Sequence, residues 1–250
     1  MNWWSSFRAL CRLEICGADL NTWRRWLSFC ISPAAYFCLL GLGLSGILGG
    51  EDYLEFVGPG IVVMQALSAL SQIIYRVVIE RRWGLAAMKL QAGVPMSAYL
   101  ASLLVPRIII FLLQGFVVLV CMLAFGVRVS PLPALLGLLG SVVCVVFWSF
   151  LGVIVTSVVS NYQTRDFIVS IIVLPLTFSA PVFYRLEGAP TLVRVLARVN
   201  PLSYQVQWVR GLFNSKFVLV DFAVVIILVV VCCGFALRAV NGLRIASFEG

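Results

Sequence analysis

The sequence predicts an all-α, polytopic membrane fold with six transmembrane helices, and three observations carry that prediction. Hydrophobic residues fill 62% of the 250 positions and charged residues only 11%. A soluble domain of this size cannot hide so much apolar surface, because it must still present a polar skin to water. Uncharged stretches recur along the chain, each near the roughly 20 residues a helix needs to cross the hydrocarbon core. Basic residues are dense in alternate intervening segments, as expected when loops alternate between the two sides of a bilayer.

Residues 1–25 predict an amphipathic helix lying along the cytoplasmic membrane surface. Ser5, Arg8, Arg12 and Asp19 share one face, and Trp3, Trp4, Phe7, Leu10 and Cys11 share the other, where the tryptophans suit an interfacial anchor. Glu14 falls on the apolar face, which implies either a frayed or snorkelling side chain or a partner that pairs with it. Six charged residues precede the first apolar run, and that run lacks a small-residue cleavage site, so the reading is an anchor and not a cleaved signal peptide.

The uncharged runs place the spans. They are Trp26 to Gly50, Phe56 to Tyr75, Ile108 to Val127, Ala134 to Val159 after Pro131 and Pro133, Phe167 to Tyr184, and Phe217 to Leu237 with Asp221 near its outer end. Arg8, Arg12, Arg24 and Arg25 precede the first span, whereas the loop Glu51 to Glu55 has no basic residue. The segment 76–100, continued to Arg107, holds Arg76, Arg81, Arg82, Lys89 and Arg107. Both termini are therefore expected in the cytoplasm.

Residues 185–216 must then lie outside although they carry Arg185, Arg194, Arg198, Arg210 and Lys216. Leu192, Val195, Leu196 and Val199 recur at helical spacing, and after Asn200-Pro201 so do Leu202, Val206, Val209 and Phe213. This predicts two short amphipathic helices that lie in, or dip into, the outer leaflet, with arginines at the headgroups.

The formal charge of +8 fits basic cytoplasmic loops, and no nucleic-acid partner is expected. With no histidine, the usual general base and the commonest zinc ligand are both missing. Eight cysteines show no CxxC spacing. No GxSxG, HExxH or phosphate-binding loop occurs, since Lys89 follows Met88 and Lys216 follows Ser215. Catalytic, cofactor and metal sites are thus expected to be absent, and any ATP-driven step belongs to another chain.

Polar residues within the spans include Gln65, Ser68 and Gln72 in the second. They suit either interhelical hydrogen bonds or the lining of a weakly polar translocation path. Gly43, Gly46 and Gly50 form a small-residue stripe on the first. Pro175 and Pro181, with Phe183 beside them, mark an outer end that could deform as a gate or stand as a static kink.

The second loop carries the most information. Charged Glu80, Arg81 and Arg82 lead through Trp83-Gly84 into a short helical pattern containing Leu85, Met88 and Lys89, which Gly93 and Pro95 end. A mere connector needs about two to eight residues. This one builds a helix suited either to a partner's cleft or to the headgroup layer.

Glu80-Arg81-Arg82-Trp83-Gly84-Leu85 followed by Gly93-Val94-Pro95-Met96-Ser97 resembles the permeases of type-2 ATP-binding-cassette exporters. So does Asn200-Pro201-Leu202-Ser203-Tyr204 followed by Arg210. Ala86 and Ala87 stand where that family continues with an acidic residue. The resemblance implies a single permease domain over 1–250 in the cell membrane, working with an ABC ATP-binding subunit that holds ATP and Mg. It also implies a second copy of this permease or a paralogous one, and surrounding membrane lipid. Glu80, Arg81, Arg82, Gly84, Leu85, Met88 and Lys89 would form the coupling-helix contact. The chain would then not be an enzyme itself but the path for an amphipathic, lipid-like, drug-like or glycan-linked cargo. The alternative is a non-transporting scaffold that recruits a soluble partner through the same loop.

Overall fold

The computed structural model describes residues 2–18, 22–48, 50–157, 159 and 162–246, with 48, 86, 90, 162 and 240–246 described by backbone alone. Asp19 and the Arg244 side chain lie outside the described parts. All regular structure among the described residues is helical. Five helices there are long and apolar enough to cross a membrane: Trp23–Ile47, Glu51–Arg82, Met96–Ala124, Pro131–Val155 and Leu219–Ala239.

In chain order, α1 is Trp3–Gly17. The first span is α2 (Trp23–Ala35), a π-helical stretch Tyr36–Leu42, and α3 (Gly43–Leu48). The second is α4 (Glu51–Ala66) and α5 (Ser68–Arg82), and α6 (Leu85–Gln91) leads to the third, α7 (Met96–Ala124). α8 (Pro131–Gly140) and α9 (Val142–Val155) make the fourth. The fifth apolar run is carried by α10 (Tyr162–Ser179), 18 residues long. Its last residues are not helical, because Pro181 disfavours helical geometry at the residue before it. α11 (Thr191–Val199), α12 (Pro201–Phe213) and α13 (Leu219–Ala246) complete the chain.

Several helices overrun the boundaries expected from charge-free stretches, among them the two that flank the second loop. α5 continues seven residues past Tyr75, and α7 begins twelve before Ile108. Arg76, Arg81 and Arg82 therefore belong to a span's end and Arg107 to a span's interior, not to a loop. A charge ends an apolar run in the sequence, but it need not end a helix when another charge meets it.

The second span is the centre of the bundle. In its most apolar window 72% of residues are buried, against 17% in the first span and 22% in the last. Its two halves meet at Leu67, where the Ser68 hydroxyl donates to the Gln65 carbonyl at 2.7 Å. Ser141 does the same for Leu138 at the break between α8 and α9. Short side chains thus satisfy carbonyls that a helix break would expose to hydrocarbon.

Close helix approach rests on glycines. A Cβ on Gly58 would run into the Met122 thioether, and one on Gly137 into the Phe213 ring. By contrast, Gly43 and Gly46 have nothing within 4 Å, so their stripe meets no helix of its own chain among the described residues. Gly137→Leu is expected to overpack this crossing, costing about 1–3 kcal/mol, while Gly43→Leu leaves stability unchanged. Thermal unfolding of the purified protein in detergent reads both, and equal midpoints would disprove the close contact.

The amphipathic pair before the last span divides. On α11, Leu192, Val195, Leu196 and Val199 are exposed, as a lipid-facing stripe requires. On α12, Leu202, Val206, Val209 and Phe213 are buried against α4, α8 and α13, and Gln205 accepts from Trp148 Nε1 at 2.8 Å inside the core. The apolar stripe of α12 thus meets protein and not an open surface, and the helix is part of the bundle. Its first turn explains the Asn200-Pro201 pair. The Asn200 side chain caps Leu202 N–H, its amide donates to Leu176 O at 2.7 Å and to Ser179 Oγ at 2.9 Å, and Pro201 fills the first helical position.

α1 also turns differently from its expected apolar face. It packs on α7 through Ser6, Leu10 and Glu14, and Trp3 Nε1 donates to Ser97 Oγ at 3.0 Å. Trp4 and Leu13 stay exposed. The polar Ser6 and Glu14 face inward because Glu14 finds cations there.

Candidate functional site

Four elements converge on one charged cluster at the end of the bundle that carries α1 and α6. Arg76 and Glu80 lie one turn apart on α5 and pair at 3.1 Å. Arg76 also grips the Glu14 carboxylate of α1 with two nitrogens, each at 3.0 Å. Lys89 of α6 bridges both acids, 2.6 Å from Glu80 and 3.3 Å from Glu14. From α7, Tyr99 donates to Glu80 at 2.9 Å, and Arg107 reaches Glu14 at 3.5 Å while donating to Leu103 O. Glu14 and Glu80 are 1% and 0% exposed, so these pairs are shielded from salt and water.

Burial alone would raise the Glu14 carboxyl. The hydrogen bond from Arg76 and the charges of Arg76, Lys89 and Arg107 outweigh it and hold the group below its ordinary value. Its contribution to stability is therefore complete above the ordinary carboxylate pKa and is lost as pH falls through the depressed one. The partner expected for Glu14 is its own chain's second span, loop helix and third span.

α6 is built with two sides. One side is fastened through Lys89, which also lies over the Tyr99 ring at 5.1 Å. The other exposes Met88 at 63% and, with the preceding turn, Trp83 at 73%. Leu85 is also exposed. Gly84 and Gly93 flank the helix at φ +68° and +75°, a conformation costly for any residue with a side chain.

The seven residues expected as a partner contact thus separate. Trp83's neighbours Arg81, Arg82, Leu85 and Met88 are at the surface, and Arg81 also donates to Thr156 O at 2.7 Å, closing the end of α9. Glu80 has no surface to offer, and Lys89 is turned inward to it. These two position the helix.

Gln65 is buried, with Ser68 and Gln72 partly open beside it, and Gln72 Nε2 donates to Ser68 Oγ at 3.3 Å. At the opposite end of the bundle, Pro175 lies within α10, while Pro181 and Phe183 lie in the turn that follows. Tyr53 donates to Phe183 O at 3.0 Å. Arg210 of α12 donates to Phe56 O at 3.1 Å and to Pro181 O at 3.0 Å, its guanidinium 3.7 Å from the Phe56 ring centre. Burial pushes Arg210 down to about 10, with Arg185 adding to the fall and Glu187 opposing it, so it stays cationic at neutral pH.

Sequence reasoning singled out neither Arg76, Tyr99 and Arg107 nor Tyr53 as site residues. A signal existed for two of them, since Arg76 and Arg107 each sit one residue outside an uncharged run and so at the same membrane depth.

No curated protein matches the chain. The family described as ABC-2 type transporter matches residues 9–214, most of the length, from within α1 to the end of α12. With five membrane-length helices in an all-helical bundle, the chain is a multi-pass membrane permease subunit that belongs to the ABC-2 type transporter family.

Proposed function

We propose that this permease forms half of the export path of a transporter whose ATP and Mg are held by a separate ATP-binding subunit. α6 is the coupling helix. The observation that carries this reading is its two-sidedness: Trp83, Leu85 and Met88 are free to enter a partner's cleft, and Lys89 ties the same helix to α1 and α5 through buried ion pairs and to α7 over the Tyr99 ring. A displacement of α6 is thereby delivered to the amino-terminal helix and to two spans together. Closure of the ATP-binding subunits on ATP supplies that displacement, if ATP favours one arrangement by a few kcal/mol.

In this reading α10 is the sixth span. Both termini and α6 are cytoplasmic, in keeping with their basic residues, and α11 rests in the outer leaflet. A second copy, or a paralogue, completes the path. Ser68 and Gln72 line it, and the Pro175–Phe183 segment is its outer gate. The cargo is amphipathic: lipid-like, drug-like or glycan-linked.

Met88→Asp tests the coupling. The residue is exposed, so the variant should reach the membrane in normal amounts, while stimulation of the ATP-binding subunit by the permease falls about five- to tenfold. Purified pairs in lipid vesicles give ATP turnover and transport together. Unchanged stimulation sinks the assignment, and a subunit that binds but neither turns over faster nor moves cargo favours the scaffold reading.

A further inference from the structure

We infer that a cavity beside the charged cluster binds the phosphate headgroup of an anionic membrane phospholipid. The cavity, about 520 Å³, lies where α1, α2, α5 and α7 meet. Three guanidinium groups line it, Arg25 from α2, Arg76 from α5 and Arg107 from α7, against one carboxylate, Glu14. That carboxylate is already shared among Arg76, Lys89 and Arg107. Glu80 also pairs with Arg76 and Lys89, so among the described residues four cations, Arg25, Arg76, Lys89 and Arg107, meet two carboxylates and positive charge remains in excess.

Arg107 shows the deficit directly. It is 7% exposed, and its Nε is buried without any hydrogen-bond partner. A buried guanidinium N–H left unmatched is costly unless a further acceptor arrives. Phosphate oxygens match it, because the planar guanidinium fork suits their spacing. Gly17 lets the Arg76 guanidinium lie against the end of α1 at the cavity wall, since a Cβ there would press on it at 3.0 Å.

The depth and the remaining walls identify the phosphate as a lipid's. Arg76 and Arg107 sit one residue outside uncharged runs, and Arg25 is in the first turn of the first span, so all three lie on the side of the bundle that carries α1 and α6. Phe29, Ile79 and Ile110 line the same cavity from three spans, a surface for acyl chain and not for a hydrated ion. Tyr75 lines it too and suits the interface. A lipid here would touch Arg76 and Arg107, two of the groups that hold α1 to the bundle, so its presence would stiffen the brace from which α6 hangs. This inference needs only the membrane fold, and it stands or falls separately from coupling to ATP.

The test uses the full-length protein, delipidated in neutral detergent, with unfolding midpoints followed on adding phosphatidylglycerol, phosphatidylcholine or inorganic phosphate. Phosphatidylglycerol should raise the midpoint at much lower concentration than phosphatidylcholine, and millimolar phosphate should leave it unmoved. Arg25 takes no part in the ion pairs around Glu14, so Arg25→Gln should fold normally while binding phosphatidylglycerol about fivefold more weakly, the effect of one basic side chain at an anionic surface. Cys16→Trp, an exposed residue of the cavity wall, should weaken it further by occupying the space. Equal stabilisation by both lipids, or unchanged phosphatidylglycerol affinity in the two variants, overturns the site. Stabilisation by inorganic phosphate equal to that by phosphatidylglycerol overturns the lipid as its occupant.

Discussion

Glu80→Ala is expected to destabilise the folded protein by about 3–5 kcal/mol, the penalty for stripping one partner from a buried ion pair. Glu80 accepts from Lys89 at 2.6 Å and from Tyr99 at 2.9 Å, and it pairs with Arg76 at 3.1 Å. Without it, Arg76, Lys89 and Arg107 surround Glu14 alone, and the Tyr99 hydroxyl loses its acceptor inside the bundle. The cost comes from stranded charge more than from lost attraction. Glu80→Ala combined with Lys89→Met should therefore be milder than the sum of the two single changes, because a buried pair replaced by apolar groups is often close to neutral. Unfolding midpoints for the four proteins form a double-mutant cycle, and the coupling expected between groups in one network is about 0.5–3 kcal/mol. Strict additivity would mean that the two side chains do not act on each other. The double variant also separates structure from mechanism. It should fold yet leave α6 without its inward tether, so stimulation of an ATP-binding subunit should stay low even where stability has returned.

The bundle was legible in the sequence because lipid imposes a simple pattern. Each stretch without charge marks a place where backbone groups must satisfy one another, and five of those stretches carry helices of membrane length. The helix ends were less legible. Reading from charge to charge stopped the second span at Tyr75 and began the third at Ile108, whereas Arg76, Glu80 and Arg107 are helical and paired with partners from other elements. Glu14 shows why. A helical wheel placed it on the wrong face for water, but nothing local says that residues 62, 75 and 93 positions away supply its counter-charges. The same limit applies to α12. Its apolar stripe was visible, but an apolar stripe alone does not say whether lipid or protein covers it. The motif residues fared unevenly for a physical reason. Gly84 and Asn200 are used for backbone conformation and capping, which depend on near neighbours, whereas Glu80 and Arg210 act through contacts that only the tertiary fold creates.

At the opposite end of the bundle, Arg210→Met is expected to cost about 2–4 kcal/mol, and Arg210→Lys to recover only part of it. Among the described residues no carboxylate lies within salt-bridge distance of Arg210, so this half-buried cation is held by carbonyl oxygens and a ring face. Its fork reaches Phe56 O on the second span and Pro181 O in the turn after α10 together, while its plane lies over the Phe56 ring. Gly60 admits the arrangement, since a Cβ there would stand 3.1 Å from Val182 O and 3.3 Å from the Arg210 guanidinium. Methionine would leave both carbonyls without their charged donor, each such bond being worth about 1.5–3 kcal/mol. Lysine is a compact, strongly hydrated point charge that cannot span two carbonyls and stack at once. Phe56→Leu removes the ring alone and should cost about 0.5–2 kcal/mol. The expected order of unfolding midpoints is thus wild type, Phe56→Leu, Arg210→Lys, then Arg210→Met, and a lysine variant as stable as the wild type would show that charge, not planar geometry, holds the turn. Tyr53 donates to Phe183 O one turn of α4 away from Phe56, so two residues of the second span pin the same three-residue segment. If that segment is the outer gate, loosening it through Arg210→Lys should raise cargo leak across vesicles without ATP, while Met88→Asp, at the other end of the molecule, should not.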